Sequence, residues 1–146
     1  MILTTPTVLA QVIAHCQQEW PQEACGLLLG SPNGGDVQVS AAEPLRNLSR
    51  DPRLHFLADP EAWIAFLYAD RTEARSLVGL YHSHPTEPAV PSASDADSLW
   101  TFPAYWIVSL RNRDTPEVKG YRLEGASGQQ KSPLVFREHS IRLIAD

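Results

Sequence analysis

Two histidines and a downstream aspartate form the most informative group of side chains in the sequence. His82 and His84 lie in the run YHSHP, and Asp95 follows His84 by eleven residues across a proline-rich stretch. Side chains two apart on an extended backbone point to the same side, so both imidazoles can reach one point. Two imidazole nitrogens and one carboxylate oxygen with an open fourth position are typical of a catalytic zinc site. Such a metal lowers the pKa of its water toward about 7.

A zinc hydrolase also needs a base that is not a ligand, to take a proton from water and pass it to the leaving group. Glu23 is the candidate, because it precedes a predicted buried strand that could run beside the strand carrying His82. Ser92 lies three residues before Asp95, where its hydroxyl could stabilise the developing negative charge on a substrate carbonyl. We therefore expect hydrolytic chemistry at this group.

Each of these residues also has a simpler interpretation. A histidine pair of this spacing is often a surface loop, and Ser92 with Asp95 has the spacing of a helix capping box. Glu23 alone would usually be a solvated carboxylate at a helix end. Asp97 is a rival ligand. The spacing of the two histidines relative to Ser92 and Asp95 favours the metal site over these alternatives.

The remaining reactive and aromatic side chains favour structural roles. Cys25 could be a nucleophile paired with a histidine, but a small buried thiol is the simpler interpretation. Ser83 is expected to pack or to hydrogen-bond behind the ligands. We expect structural or exposed positions for His15, His55 and His139. Core positions are expected for Trp20, Trp63, Trp100 and Trp106, with Trp100 near enough to the metal loop to line a cleft.

Composition excludes several classes of protein. The 146 residues suit one domain, and 43% hydrophobic with 20% charged residues is ordinary for a globular protein. A net charge of −5 argues against general binding to a nucleic-acid backbone. Two cysteines cannot build a disulfide framework, no apolar run is long enough to cross a bilayer, and no signal peptide is evident. We expect a cytoplasmic globular domain with no membrane or nucleic-acid partner.

Hydrophobic periodicity predicts a mixture of helices and strands. Thr5 followed by Pro6 predicts a capped helix from about Pro6 to Gln18, and Asp59 followed by Pro60 predicts a second one. Strands are predicted over 26–30 and 37–40 (joined by a turn at 31–36), 54–58, 76–82, 105–110, 118–123, 134–136 and 141–144, with a short helix after Ser92. This order predicts an α/β or α+β domain with one mixed or mostly antiparallel sheet.

Three segments together resemble the JAMM (MPN-plus) metallopeptidase family. They are EACGLLLG from Glu23, HSHP from His82 and SASD from Ser92, with seven residues between His84 and Ser92 and two between Ser92 and Asp95. The resemblance spans about residues 21–95. It implies that His82, His84 and Asp95 ligate one zinc ion. It also implies that Glu23 is the general acid/base and that Ser92 stabilises the oxyanion.

The resemblance also implies a fold and an activity. The fold would be a curved mixed sheet flanked by helices, similar to cytidine deaminases, in a single domain over 1–146. The activity would be zinc-dependent hydrolysis of a peptide or isopeptide bond at the C-terminal diglycine tail of a ubiquitin-like or sulfur-carrier protein. The span between Phe56 and Leu77 is short, which suggests a minimal prokaryotic member. Three alternatives remain: a non-catalytic MPN scaffold, a RadC-like protein associated with DNA repair, and a zinc site that only stabilises the fold.

Overall fold

One mixed sheet organises the chain in the computed structural model, which describes residues 1–68, 75–92, 102–125 and 134–146. Its eight strands run in the order β7-β6-β5-β4-β2-β3-β1-β8. The elements in chain order are β1 (Ile2–Thr4), α1 (Pro6–Glu19), β2 (Cys25–Asn33), β3 (Asp36–Leu45), α2 (Pro60–Tyr68), β4 (Ser76–His84), β5 (Ala104–Ser109), β6 (Glu117–Gly125), β7 (Leu134–His139) and β8 (Ile141–Leu143).

Helix α1 forms where the sequence predicts it and ends one residue later. The Val8 amide donates to the Thr5 hydroxyl at 3.3 Å, and Pro6 occupies the first helical position, where no amide hydrogen is needed. Val8, Val12 and Cys16 are buried along one face. The predicted cap and apolar stripe are therefore confirmed.

The centre of the sheet is β4, which is hydrogen-bonded to β2 on one side and to β5 on the other. Strand β2 runs antiparallel to β4, with Cys25 opposite His82, and β5 runs parallel to it. Val78 to His84 are all buried. Strands covered on both faces read as continuous apolar runs rather than alternating ones, which explains why these three were predicted easily.

Two hydrophobic clusters cover the two faces of the sheet. On one face α1 packs with the first cluster, which includes Tyr81 and Trp106. On the other face the second cluster includes Leu80 and Ile107, with Phe66 of α2 and Phe56 packed against it. The predicted class, a mixed sheet flanked by helices, is confirmed. Among the described helices, none combines the length and apolar character needed to span a membrane.

Several sequence-based boundaries are wrong. Segment 54–58 is not a strand: it makes a single isolated bridge, between Asn47 and Ala58. The first hairpin is longer and its turn tighter than predicted, because β2 extends to Asn33 and β3 begins at Asp36. Strand β1 was not predicted. Its three residues are too few for a periodic signal, and it is held by parallel pairing to β3 and β8.

Two of the four tryptophans can be compared with the expected core positions. Trp106 is fully buried, as predicted. Trp20 is 36% exposed and carries the Arg113 guanidinium 4.0 Å from its ring centroid, so its core assignment is wrong. The stacked cation explains why the ring is stable at the surface. Trp100 and the Trp63 side chain lie outside the described part of the chain.

Gly79 is required for the close approach of β4 and β5. A Cβ atom there would overlap the backbone carbonyl oxygen of Ala104. We predict that Gly79→Ala lowers the free energy of unfolding by about 1–3 kcal/mol, the usual scale of overpacking. Gly35→Ala is the control, since a Cβ atom added at Gly35 would have no neighbouring atom within 4 Å. Urea denaturation followed by tryptophan fluorescence measures both variants, and equal stabilities would contradict the assignment.

Candidate metal centre

His82 and His84 bring their imidazole rings together at the carboxyl end of β4. Their Nε2 atoms lie 3.2 Å apart, and the side chains are 2% and 5% exposed. The two-residue spacing on an extended strand therefore places both rings on one side, as the sequence predicts.

The tautomer of His84 is fixed by the loop that follows it. Its Nδ1 lies 2.8 Å from the carbonyl oxygen of Pro88. A carbonyl only accepts hydrogen bonds, so Nδ1 carries the hydrogen, and in the neutral ring Nε2 keeps its lone pair. This is the arrangement that metal-binding histidines usually have, with the second nitrogen donating to an oxygen acceptor.

The Pro88 carbonyl belongs to a proline-rich segment, 85–91, that is anchored to the sheet. The Ser109 hydroxyl donates to the carbonyl of Glu87 at 2.6 Å, and the Tyr121 hydroxyl donates to that of Ala89 at 2.6 Å. Three prolines in the segment remove backbone donors, and side chains of β5 and β6 satisfy the neighbouring carbonyls. Side chains of the sheet thus hold the segment that carries the Pro88 carbonyl, the acceptor for His84.

His82 is oriented by an aromatic ring. Phe56 stacks on it with centroids 4.6 Å apart and an interplanar angle of 25°. Phe56 was predicted only as part of a strand, and its contact with the site was missed. No local pattern indicates it, because the 54–58 segment is not a strand and makes one isolated bridge, between Asn47 and Ala58.

Glu23 completes the buried group. One carboxylate oxygen of Glu23 and one ring nitrogen of each histidine all lie within 4.8 Å of one another, and Glu23 is 5% exposed. The register explains this: Cys25 pairs with His82, and continuing the antiparallel alignment by two residues brings Glu23 opposite His84. The interpretation of Glu23 as a solvated helix-end carboxylate is therefore wrong.

Ser83 continues this alignment to the residue that precedes β2. The Ala24 amide donates to the Ser83 hydroxyl at 2.8 Å, and the Ser83 amide donates to the Ala24 carbonyl at 3.0 Å. Ser83 is fully buried between the two histidines. The expectation of packing and hydrogen bonding behind the site is confirmed.

The donor group fits a metal ion. Ligand atoms about 2.0–2.1 Å from a tetrahedral zinc lie about 3.3–3.4 Å from each other, close to the observed separation of the two Nε2 atoms. Nitrogen from imidazole and oxygen from carboxylate are also the donors that such ions prefer. The site geometry therefore indicates a metal centre.

A cleft of ≈ 340 Å³ opens onto the group. Glu23, His84 and Ser92 line it together, so three of the five predicted site residues face one space. Asp95 and its rival Asp97 lie outside the described residues, as does the predicted helix after Ser92. The described lining is completed by Arg53, Leu54, Pro85, Thr86, Glu87, Pro88, Val90 and Pro91.

The cysteines are buried and protonated. Cys16 and Cys25 are free thiols, and burial raises the pKa of each to about 12. A thiol with that pKa is a poor nucleophile at neutral pH, so the interpretation of Cys25 as a small buried side chain is confirmed.

The other histidines take structural or exposed positions, as expected. His15 has its Nδ1 2.7 Å from the Tyr81 hydroxyl, and burial lowers the pKa of its imidazole. His55 is exposed and His139 is half-buried on β7.

Asn47 joins Glu23 to the loop that carries Phe56. Its amide nitrogen donates to the carbonyls of Glu23 at 2.8 Å and His55 at 3.0 Å. Its oxygen accepts from the amides of Ser49 at 3.0 Å and Leu57 at 2.9 Å. These bonds use the full hydrogen-bonding capacity of an asparagine side chain. Nothing in the sequence pattern singled out Asn47, because its partners are backbone atoms.

Comparison with known proteins identifies the class to which this fold and site belong. Residues 5–124 match the family described as prokaryotic homologs of the JAB domain. The match covers most of the chain, and the chain belongs to this family. The resemblance to JAMM-type proteins drawn from the sequence is thereby confirmed, and the family together with the donor group indicates a bound metal ion.

Individual relatives extend this comparison. The chain is 38% identical over 109 residues to the desampylase of Haloferax volcanii, covering 71% of this chain and 77% of that protein. It is 36% identical over 105 residues to the "Probable TtuB-protein conjugate cleaving protease" of Thermus thermophilus, covering 70% and 68%. It is 35% identical over 130 residues to the CysO-cysteine peptidase of Mycobacterium tuberculosis, covering 85% and 84%.

A solved structure supports the fold. The solution structure of a protein from Desulfitobacterium hafniense superimposes with a TM-score of 0.81 at 33% identity, covering 100% of this chain and 94% of that one.

Removing the Asn47 side chain tests its role as a link between Glu23 and the loop. We predict that Asn47→Ala lowers the free energy of unfolding by about 1–3 kcal/mol, because the Glu23 and His55 carbonyls each lose a donor. Asn112→Ala is the matched control, since Asn112 is an exposed turn residue whose side chain accepts from Asp114. Denaturant titration measures both, and hydrogen exchange should speed up over residues 48–57 in Asn47→Ala alone. Equal effects of the two variants would contradict this role.

Proposed function

We propose that this protein is a zinc-dependent peptidase that hydrolyses the amide bond after the C-terminal diglycine of a ubiquitin-like or sulfur-carrier protein. The observation that carries the proposal is the convergence of Glu23, His82 and His84 within 4.8 Å in a buried group beside a cleft. Buried titratable groups beside a cleft are costly to maintain and are typical of catalytic sites. The names of the relatives, which describe cleavage of protein conjugates and of a cysteine from CysO, support the substrate class.

His82 and His84 would hold one zinc ion per chain, with Asp95 as the third ligand. Zinc bound there would polarise the scissile carbonyl and make water available as a nucleophile near neutral pH. The hydrogen bond from His84 to the Pro88 carbonyl keeps Nε2 ready to donate its lone pair. The stack of Phe56 on His82 holds the second ring in position.

Glu23 would act as the general acid/base. Its carboxylate takes a proton from the attacking water, and the same proton passes to the amide nitrogen as the carbon–nitrogen bond breaks. One water is consumed, and a carboxylate and an amine are released. Ser92 would donate its hydroxyl hydrogen to the carbonyl oxygen, where negative charge develops. Both side chains line the same cleft, so one bound substrate can contact both.

Residues 1–146 would form one domain acting in the cytoplasm, with a ubiquitin-like or sulfur-carrier protein as its partner during turnover. The net charge of −5 argues against a nucleic-acid partner.

Replacing Glu23 separates catalysis from metal binding. We predict that Glu23→Gln retains zinc but loses at least about a hundredfold in kcat, the usual contribution of a general acid/base. The amide has nearly the same shape but cannot shuttle the proton. Metal analysis and release of the diglycine-tailed product measure the two effects, with the exposed Glu61→Gln as control. Full activity in Glu23→Gln would refute the assigned role, and loss of zinc would make Glu23 a ligand.

Replacing His84 tests the ligand set. We predict that His84→Ala no longer binds zinc stoichiometrically, because one of two converging nitrogens is lost. His139→Ala, on the distant strand β7, should keep its zinc. Equilibrium dialysis followed by elemental analysis measures both, and circular dichroism checks that each variant folds.

The third ligand needs its own comparison. Asp95→Ala should also lose zinc, whereas Asp97→Ala should retain it. The opposite result would make Asp97 the ligand.

A further inference from the structure

The cleft beside the metal centre has one cationic side chain among the described residues that line it. That residue is Arg53, and the acidic residues on the same described lining are Glu23 and Glu87. Glu23 has a role in the proposed mechanism, whereas Arg53 has none. A guanidinium in a cleft is the residue best suited to bind a carboxylate, because it presents paired donors in a plane.

The backbone around Arg53 is held in place by hydrogen bonds. The amides of Leu54 and His55 donate to the Asp51 carbonyl at 3.1 and 3.0 Å, which closes a turn over 51–55. Asn47 anchors the loop on both sides of that turn. Binding through Arg53 would therefore order one side chain rather than a whole loop, which lowers the entropic cost of binding.

The loop that carries Arg53 is also hydrogen-bonded to Glu23. The carbonyl of Pro52, the neighbour of Arg53 in the chain, accepts a hydrogen bond from the Glu23 amide at 2.6 Å. Glu23 is the group proposed to protonate the departing amine. Arg53 therefore follows, in the chain, a residue hydrogen-bonded to Glu23, and both Arg53 and Glu23 line the cleft.

Two exposed apolar side chains line the same cleft as Arg53. Leu54 is 63% exposed and Val90 is 51% exposed, and both line the cleft. Large apolar side chains left open in a cleft are typical of a binding surface. The cleft volume of ≈ 340 Å³ falls at the lower end of the range for sites that bind small molecules, about 300–1,000 Å³.

We propose that Arg53 binds the free α-carboxylate of a single amino acid joined through its α-amine to the diglycine tail. This inference rests on the proposed function and narrows it. The bond broken links the last glycine carbonyl to the α-nitrogen, water supplies the oxygen of the new glycine carboxylate, and the α-amine leaves protonated. The leaving residue has an apolar or uncharged side chain that contacts Leu54 and Val90. A lysine side chain within a protein conjugate offers no α-carboxylate at this position.

Binding to an inactive variant tests the inference without turnover. The probes are two synthetic decapeptides that end in Gly-Gly-Leu, one with a free carboxylate and one with a carboxamide. Calorimetry on zinc-loaded Glu23→Gln should show the free acid binding about tenfold or more tightly than the amide, the scale of a charge-assisted hydrogen bond. Equal affinities for the two peptides would overturn the inference.

Variants of Arg53 locate the origin of the preference. Adding Arg53→Ala to Glu23→Gln should weaken binding of the free acid about tenfold and leave the amide unchanged, and Arg53→Lys should restore part of the preference. Arg50→Ala is the matched control, because Arg50 is exposed on the same loop but does not line the cleft. A preference that persists in Arg53→Ala, or disappears equally in Arg50→Ala, would overturn the inference.

A hydrolysis arm separates this inference from the proposed function. The zinc-loaded protein with its native Glu23 should release leucine from the free acid faster than leucinamide from the amide. Arg53→Ala, introduced into that protein, should remove the difference. Release from neither peptide, nor from a diglycine-tailed protein substrate, would contradict the proposed function, while the binding measurement would still decide the role of Arg53. Equal release from both peptides would contradict the role of Arg53 and leave the peptidase intact.

Discussion

The register between β2 and β4 determines the geometry of the candidate metal centre. Cys25 pairs with His82, and Ser83 extends the alignment through two hydrogen bonds to Ala24. Glu23 consequently meets the histidines although it lies some sixty residues away in the chain. A slip of one residue would turn Glu23 to the opposite face, because side chains alternate along a strand. The antiparallel pairing thus sets the position of Glu23 relative to the two histidines.

Burying Glu23 with two histidines works against stability. Charged and polar groups in a protein interior cost free energy unless they are paired or bind an ion. Two hydrogen bonds satisfy the backbone of Glu23. The Pro52 carbonyl accepts from the Glu23 amide, and the Asn47 side chain donates to the Glu23 carbonyl. These bonds hold the backbone of Glu23 in place through its amide and its carbonyl. A metal ion held by the two histidines would offset part of the remaining cost.

The sequence was informative where side chains at fixed intervals converge on one point. His82, His84 and Glu23 were identified from spacing and from their position beside predicted strands, and the central strands were identified from continuous apolar runs. The partners that orient these groups were not identified. Pro88 acts through its carbonyl, Asn47 binds backbone atoms, and Phe56 reaches His82 from an irregular loop. Backbone acceptors and loop paths leave no periodic signal, so only the folded chain shows them.

The anchored proline segment ties the metal site to the assembly of the sheet. The Pro88 carbonyl sets the tautomer of His84, while Ser109 of β5 and Tyr121 of β6 hold the flanking carbonyls. A chain in which β4 has formed but β5 and β6 have not would contain both histidines without a preset acceptor for His84. Tight metal capture would then accompany completion of the sheet. Synthesis of the chain from its amino end would therefore deliver both histidines well before it delivers the partners that prepare one of them for the ion.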